Sequence, residues 1–76
     1  VGIHFMNPSP LKPSVELIPG AETSDQTLSA ARDLLAKLGK RPVLVADSPG
    51  FVCNRVMALA INEAVHLVQE GVAICR

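Results

Sequence analysis

The sequence lacks several features that identify common classes of protein. Tryptophan and tyrosine are absent, and phenylalanine occurs twice in 76 residues. Seven basic and seven acidic side chains give a formal net charge of zero, without a run of like charge. This balance does not favour binding to nucleic acid or to an anionic membrane surface. The five glycines are too widely spaced for a phosphate-binding loop, so the sequence contains no dinucleotide-binding fingerprint.

Cysteine is also scarce, and its spacing does not match a metal site or a redox motif. Cys53 lies in an apolar helical pattern and is expected to be a buried thiol. The lack of a disulfide framework is typical of a reducing intracellular compartment, such as the cytoplasm or, in a eukaryote, a mitochondrion or peroxisome. The longest apolar stretch, residues 52–68, contains five polar residues and is not expected to cross a membrane.

The segments that are present alternate between strand and helix patterns. Residues 1–5 and 15–18 are typical of short strands, and the loop between them contains three prolines. Residues 42–46 form an apolar run that is typical of a strand covered on both faces. Because a helical pattern lies between the second and third strands, the sequence predicts an α/β unit.

The first helix has recognisable ends. Thr23 or Ser24 is predicted to cap its N-terminus, with Gln26 completing a capping box after Thr23. Gly39 suits the position just beyond the C-terminus, and Lys40 is expected near the negative end of the helix dipole. The apolar residues recur at helical spacing and predict one buried stripe, formed by Leu28, Ala31, Leu35 and Leu38.

A second helix is predicted after the sequence DSPG. Asp47 or Ser48 is expected to cap this helix, and Pro49 suits its first turn. The helical pattern runs from about Phe51 to Glu70 and is apolar over more than half of its circumference. Such a helix is expected to pack against several neighbours.

A few polar residues are candidates for chemistry. If the first two strands are neighbours, Glu16 can bond to one imidazole nitrogen of His4 and orient the other nitrogen as a general base. From spacing alone, a structural histidine on a strand is the commoner outcome. Asn7 beside Pro8 is equally typical of a turn, and Asn54 is typical of a local hydrogen bond near a helix start.

Two blocks of sequence together resemble one known family. The first is HFMNP at residues 4–8, followed by Val15-Glu16, and the second is DSPGFVCNR at residues 47–55, followed by NEA and EGVA. In this order and at this separation they resemble the 3-hydroxyacyl-CoA dehydrogenase family, and the resemblance covers nearly the whole chain. Met6 replaces a phenylalanine that is common in the family, and residues 12–14 also depart from its usual sequence.

The resemblance implies a fold and a cofactor. Residues 1–47 are expected to be the C-terminal part of a Rossmann-type NAD-binding domain of the α/β class. Residues 48–76 are expected to begin an all-α C-terminal domain with its first long helix. NAD is the implied cofactor, with its main cradle outside this chain. The chain is therefore expected to be a fragment, inactive alone, of a protein that forms a homodimer through the helical domain.

The resemblance also implies roles for single residues. His4 matches the catalytic acid/base that takes the proton from the substrate's 3-hydroxyl, and Glu16 matches the catalytic glutamate that holds this histidine. Asn7 matches an asparagine close to NAD and to the substrate. Asn54 matches a substrate-binding asparagine that reaches the same cleft from the helical domain.

The implied reaction is the NAD-dependent conversion of L-3-hydroxyacyl-CoA to 3-oxoacyl-CoA, in fatty-acid β-oxidation or butanoyl-CoA metabolism. One alternative is the same module within a multifunctional hydratase/dehydrogenase. Another alternative is a structural, helix-pairing fragment without activity. The sequence does not specify the acyl-chain length of the substrate.

Overall fold

The computed structural model describes residues 1–75, and its sheet is built around a central strand. Within these residues the elements follow the chain order β1 (Gly2–Phe5), β2 (Ser14–Ile18), α1 (Asp25–Lys37), β3 (Arg41–Leu44) and α2 (Cys53–Gln69). Strand β2 pairs with β1 in antiparallel and with β3 in parallel orientation. The predicted α/β unit is confirmed, with strand ends that differ from the predicted ones by one or two residues.

The two faces of β2 have different neighbours. Val15 and Leu17 are buried on the face covered by α1, where they form the core with Ala31 and Leu35. Because successive side chains along a strand point to opposite faces, Glu16 is directed to the other side of the sheet. The strand therefore gives Val15 and Leu17 to the core and Glu16 to the opposite face.

Helix α1 begins and ends largely as its sequence indicates. The Ser24 hydroxyl oxygen accepts the backbone N–H of Thr27 at 3.1 Å, so Ser24 is the N-cap. The capping box at Thr23 is wrong, because the Thr23 hydroxyl accepts a backbone N–H of the preceding turn. Leu38 is the C-cap residue, where the chain leaves the helix, and it is 56% exposed instead of buried. Gly39 follows with a φ of +72°, as expected just beyond a helix.

Strand β3 is less covered than its apolar sequence predicts. It lies at one edge of the sheet in the described part of the chain, and Val43 and Leu44 are each about half exposed. Burial on both faces needs a neighbour on each face, and of the two described helices only α1 packs against β3. The prediction of cover on both faces is therefore wrong for residues 1–75.

Helix α2 starts later than predicted. The N–H of Phe51 donates to the carbonyl of Ser48 at 2.9 Å, so these residues close a turn. Gly50 and Phe51 have φ values of +77° and +49°, which a right-handed helix cannot include. The predicted caps, Asp47 and Ser48, are therefore wrong, and the N-cap position is occupied by Val52.

Apart from the half-buried Cys53, the side chains of α2 are exposed. The helix has 17 residues, which corresponds to a length of about 26 Å. None of these residues is buried in the described part of the chain, so the neighbours expected for the apolar face are not among residues 1–75. No helix within these residues is long and apolar enough to cross a membrane.

Two adjacent leucines of α1 provide a matched test of the core. Leu35 is fully buried, whereas Leu34 is 53% exposed. We expect Leu35→Ala to lower the free energy of unfolding by about 2–5 kcal/mol, because it removes buried methyl groups and leaves a cavity. Leu34→Ala should change it by about 0.5 kcal/mol or less. Urea denaturation followed by circular dichroism measures both, and equal losses would contradict this placement of the core.

Candidate active site

His4 and Glu16 form a hydrogen-bonded pair on the sheet face opposite the core. The antiparallel register of β1 and β2 places these two residues directly across from each other. Residues opposite each other in such a pair direct their side chains to the same face. His4 Nδ1 lies 2.7 Å from Glu16 Oε1. The first two strands are therefore neighbours, as the hydrogen bond between His4 and Glu16 requires.

The second carboxylate oxygen of Glu16 bonds to the start of α2. Its Oε2 accepts the backbone N–H of Val52 at 2.9 Å and the N–H of Cys53 at 3.3 Å. The first N–H groups of a helix have no partner within the helix, and α2 has no side-chain cap of its own. Glu16 therefore supplies from the sheet the acceptor that a capping side chain normally supplies.

The environment of Glu16 favours its ionised form. Glu16 is only 3% exposed, and this burial by itself raises the pKa of its carboxyl group. The hydrogen bond from His4, the two backbone N–H groups of α2 and the attraction to His4 act in the opposite direction and outweigh burial. The pKa of Glu16 is therefore lowered below its ordinary value.

The ionised carboxylate fixes the tautomer of the histidine. A carboxylate only accepts hydrogen bonds, so Nδ1 of His4 must carry a proton and donate it to Glu16. In the neutral imidazole, Nε2 then has a free lone pair and can accept a proton. His4 is thus arranged as a general base, with Glu16 as the group that orients it.

Phe51 contacts the same imidazole from the turn before α2. Its ring centroid lies 5.6 Å from that of His4, and the two planes are inclined by 54°. This is a normal distance and angle for a tilted pair of aromatic rings. Sequence reasoning assigns no separate role to Phe51, and its position in the block DSPGFVCNR is the signal that could have identified it.

The two asparagines lie beside His4 in one cleft. This cleft has a volume of about 480 Å³ and is lined by His4, Asn7 and Asn54, among other residues. Asn7 comes from the loop after β1, and Asn54 is the second residue of α2. The structure therefore brings His4 and both asparagines to one space, with Glu16 bonded behind the imidazole.

Two further residues of the site differ from the sequence expectations. Cys53, expected to be buried, is half-buried and lines the cleft because it is the first residue of α2. Lys40 is expected to lie near the negative end of the dipole of α1. Instead its Nζ donates hydrogen bonds to the carbonyl oxygens of Ser9 and Lys12, the latter at 2.8 Å. The lysine therefore holds the loop that carries Asn7.

Among residues 1–75 no group of three or more His, Cys, Asp or Glu side chains could hold a metal ion.

The lowered pKa of Glu16 predicts a pH-dependent stability. A carboxylate whose pKa is lower in the folded than in the unfolded protein stabilises the folded protein when the pH is above the unfolded pKa, which is ordinarily 4.5. This stabilisation is lost as the pH falls through the pKa of the folded protein. We expect the free energy of unfolding of the wild type to decrease more steeply below a pH of about 4.5 than that of Glu16→Gln. Urea denaturation across this pH range measures the difference. Glu63→Gln, at an exposed site of α2, should retain the wild-type slope, and parallel curves for wild type and Glu16→Gln would contradict the assignment.

Two family models match consecutive parts of the chain. The model described as 3-hydroxyacyl-CoA dehydrogenase, NAD binding domain, matches residues 1–48. The model described as 3-hydroxyacyl-CoA dehydrogenase, C-terminal domain, matches residues 50–76. These matches confirm the predicted fold class, in which the end of an α/β NAD-binding domain is followed by the first helix of a helical domain.

Individual relatives at 45–50% identity are also named as dehydrogenases. A probable 3-hydroxybutyryl-CoA dehydrogenase of Deinococcus radiodurans is 49% identical over 73 residues, covering 96% of this chain and 26% of the relative. The crystal structure of (S)-3-hydroxybutyryl-CoA dehydrogenase from Ralstonia eutropha matches with a TM-score of 0.84 and 50% identity, covering 95% of this chain and 25% of the other. A 5-formyl-3-hydroxy-2-methylpyridine 4-carboxylic acid 5-dehydrogenase, described as an NAD+ dependent dismutase, matches with a TM-score of 0.83 and 45% identity over 95% and 24% of the two chains. The chain thus spans about a quarter of the length of these relatives, and it belongs to the 3-hydroxyacyl-CoA dehydrogenase family.

Proposed function

We propose that this chain is part of an enzyme that oxidises L-3-hydroxyacyl-CoA to 3-oxoacyl-CoA with NAD. The observation that carries the proposal is the hydrogen bond of 2.7 Å between His4 Nδ1 and Glu16 Oε1. Oxidation of a secondary alcohol needs a base at the hydroxyl group, and this pair leaves Nε2 of His4 free to act as that base. The names of the relatives and the match to an NAD-binding domain support the substrate class and the cofactor.

In the proposed reaction His4 moves one proton. Its Nε2 accepts the proton of the substrate's 3-hydroxyl as the hydride leaves C3, and the positive charge that forms on the imidazole is stabilised by the Glu16 carboxylate. In the reverse direction the same nitrogen returns the proton to the 3-oxo group. Glu16 keeps its own negative charge in both directions, because the amides of Val52 and Cys53 also stabilise it.

The two asparagines are proposed to bind rather than to transfer protons. A carboxamide both donates and accepts hydrogen bonds, so it suits the carbonyl and hydroxyl oxygens of a hydroxyacyl thioester. We assign Asn54 to the substrate, and Asn7 to the space between substrate and cofactor. Their common cleft with His4 supports both assignments. Correct orientation of the hydroxyl toward the base is the contribution expected from such residues.

The residues present fit only the reacting end of NAD. The cleft offers a base and two amide side chains, whereas no glycine-rich phosphate-binding loop occurs in the 76 residues. When bound, NAD supplies the hydride acceptor. We therefore propose that its main cradle lies outside this chain, and that the 76 residues alone are inactive.

The domain organisation and the assembly are also proposals. We assign residues 1–47 to the NAD-binding domain and residues 48–76 to the helical domain, with the turn before α2 as the junction. We also propose a homodimer formed through the helical domain. The exposed apolar side chains of α2, which include Val56, Leu59 and Val65, need cover from outside residues 1–75, and a second copy is one source of it besides the rest of the helical domain. The same module within a multifunctional hydratase/dehydrogenase would use the same site.

Replacing the proposed base tests the reaction. In the full-length protein, His4→Gln should lower kcat for 3-hydroxybutyryl-CoA by about 10²–10⁴-fold, because the amide cannot accept the hydroxyl proton. NADH formation measures kcat, and the affinity for NAD should change little. His66→Gln, at a position of α2 that does not line the cleft, is the matched control and should retain near-wild-type activity. Near-normal turnover by His4→Gln would rule out His4 as the base.

The assignment of Asn54 has a matched control on the same helix. Asn54→Ala should raise KM for the acyl-CoA substrate by about tenfold, which corresponds to the loss of one hydrogen bond. Asn62→Ala, further along α2 at a position that does not line the cleft, should leave KM unchanged. Steady-state kinetics with varied acyl-CoA and saturating NAD compare the two variants, and equal KM values would argue against a role for Asn54 in substrate binding.

A further inference from the structure

The turn before α2 contacts both members of the His4–Glu16 pair. We propose that Phe51 is a positioning residue for the base, and that the junction segment, defined as residues 51–53, holds the pair through one side chain and two backbone amides. This inference rests on the proposed function, because it concerns how the base of that reaction is oriented.

The hydrogen bond to Glu16 does not by itself fix the imidazole. It restrains one ring atom, Nδ1, and leaves the ring plane free to tilt about that contact. The His4 side chain is still 31% exposed, so packing within the sheet does not enclose it. The ring of Phe51, with its centroid 5.6 Å from that of His4 and its plane inclined by 54°, contacts the imidazole and adds a second restraint on the tilt. We infer that the hydrogen bond and the ring contact together aim Nε2.

The backbone of the junction segment is held in an unfavourable conformation. Phe51 has a φ of +49°, which is rare for a bulky side chain, and Gly50 before it has a φ of +77°. A Cβ added at Gly50 would lie 3.1 Å from the backbone nitrogen of Arg55, so the turn is also tightly closed. Such conformations persist where surrounding contacts impose them, and they are concentrated at functional sites. Here the contacts are those of Phe51 with His4 and of the next two amides with Glu16.

The base and its orienting carboxylate are therefore held by the element that also carries Asn54. The same start of α2 places Asn54 in the cleft, one residue after the second amide bonded to Glu16. A displacement of the junction segment would loosen the imidazole, the carboxylate and the substrate-binding side chain together. Correct alignment of the base thus depends on how the two proposed domains meet.

The inference is tested by substitutions that leave the positive φ of residue 51 equally unfavourable but remove or keep the aromatic ring. Leucine at position 51 is as disfavoured at positive φ as phenylalanine, so Phe51→Leu removes the ring without relieving the backbone. In the full-length protein we expect kcat to fall by about 10- to 100-fold, with little change in KM for NAD, because the base is misaligned. The pH at which kcat reaches half of its plateau should also shift. Phe51→Tyr keeps the ring and should restore both values to near those of the wild type.

The outcomes separate this inference from the proposed function. If His4→Gln lowers kcat as predicted while Phe51→Leu keeps the wild-type kcat and pH profile, the positioning role is wrong and the base assignment stands. If His4→Gln keeps a near-normal kcat, the base assignment on which the proposed function rests fails. Circular dichroism and thermal denaturation establish that each variant is folded. Should Phe51→Leu not fold, Phe51→Met replaces it with the same expected loss, and wild-type kinetics of that variant would equally contradict the inference.

Discussion

The carboxylate of Glu16 is the group on which the arrangement of the site depends. One of its oxygens bonds to the imidazole of His4, and the other accepts the first amides of α2. A buried charge is tolerated in a protein only when such partners replace its hydration. The three hydrogen bonds therefore keep Glu16 ionised, and the same bonds connect the sheet to the start of the next helix. The orientation of the base and the attachment of α2 have a common cause.

The sequence was sufficient for the parts of this structure that depend on local pattern. The stripe that includes Ala31 and Leu35 predicted the buried face of α1, and Ser24 was among the predicted caps. The α/β order of elements was predicted for the same reason, since strand and helix periods are visible in single segments. The proximity of His4 and Glu16 needed one further condition, the antiparallel pairing of their strands, and the sequence could only offer it as a possibility.

The parts that the sequence did not predict depend on contacts between distant residues. The sequence predicts Asp47 or Ser48 as the cap of α2 because both are typical caps, whereas the acceptor for its first amides comes from Glu16, more than thirty residues earlier. For the same reason the contacts of Lys40 are not predicted, because its ammonium group bonds to carbonyls of a loop that precedes it by about thirty residues. A local pattern contains no information on a partner at such a distance.

The loop between β1 and β2 contains three prolines, and the ammonium group of Lys40 bonds to two of its carbonyls, so the connection between these paired strands is restrained. In a sheet, a shift of one residue between paired strands turns every side chain of the shifted strand to the other face. A slip of one residue between β1 and β2 would direct His4 to the core face of the sheet and an apolar neighbour to the cleft. A loop restrained in this way opposes such a slip, and it therefore contributes to the placement of the base without taking part in proton transfer.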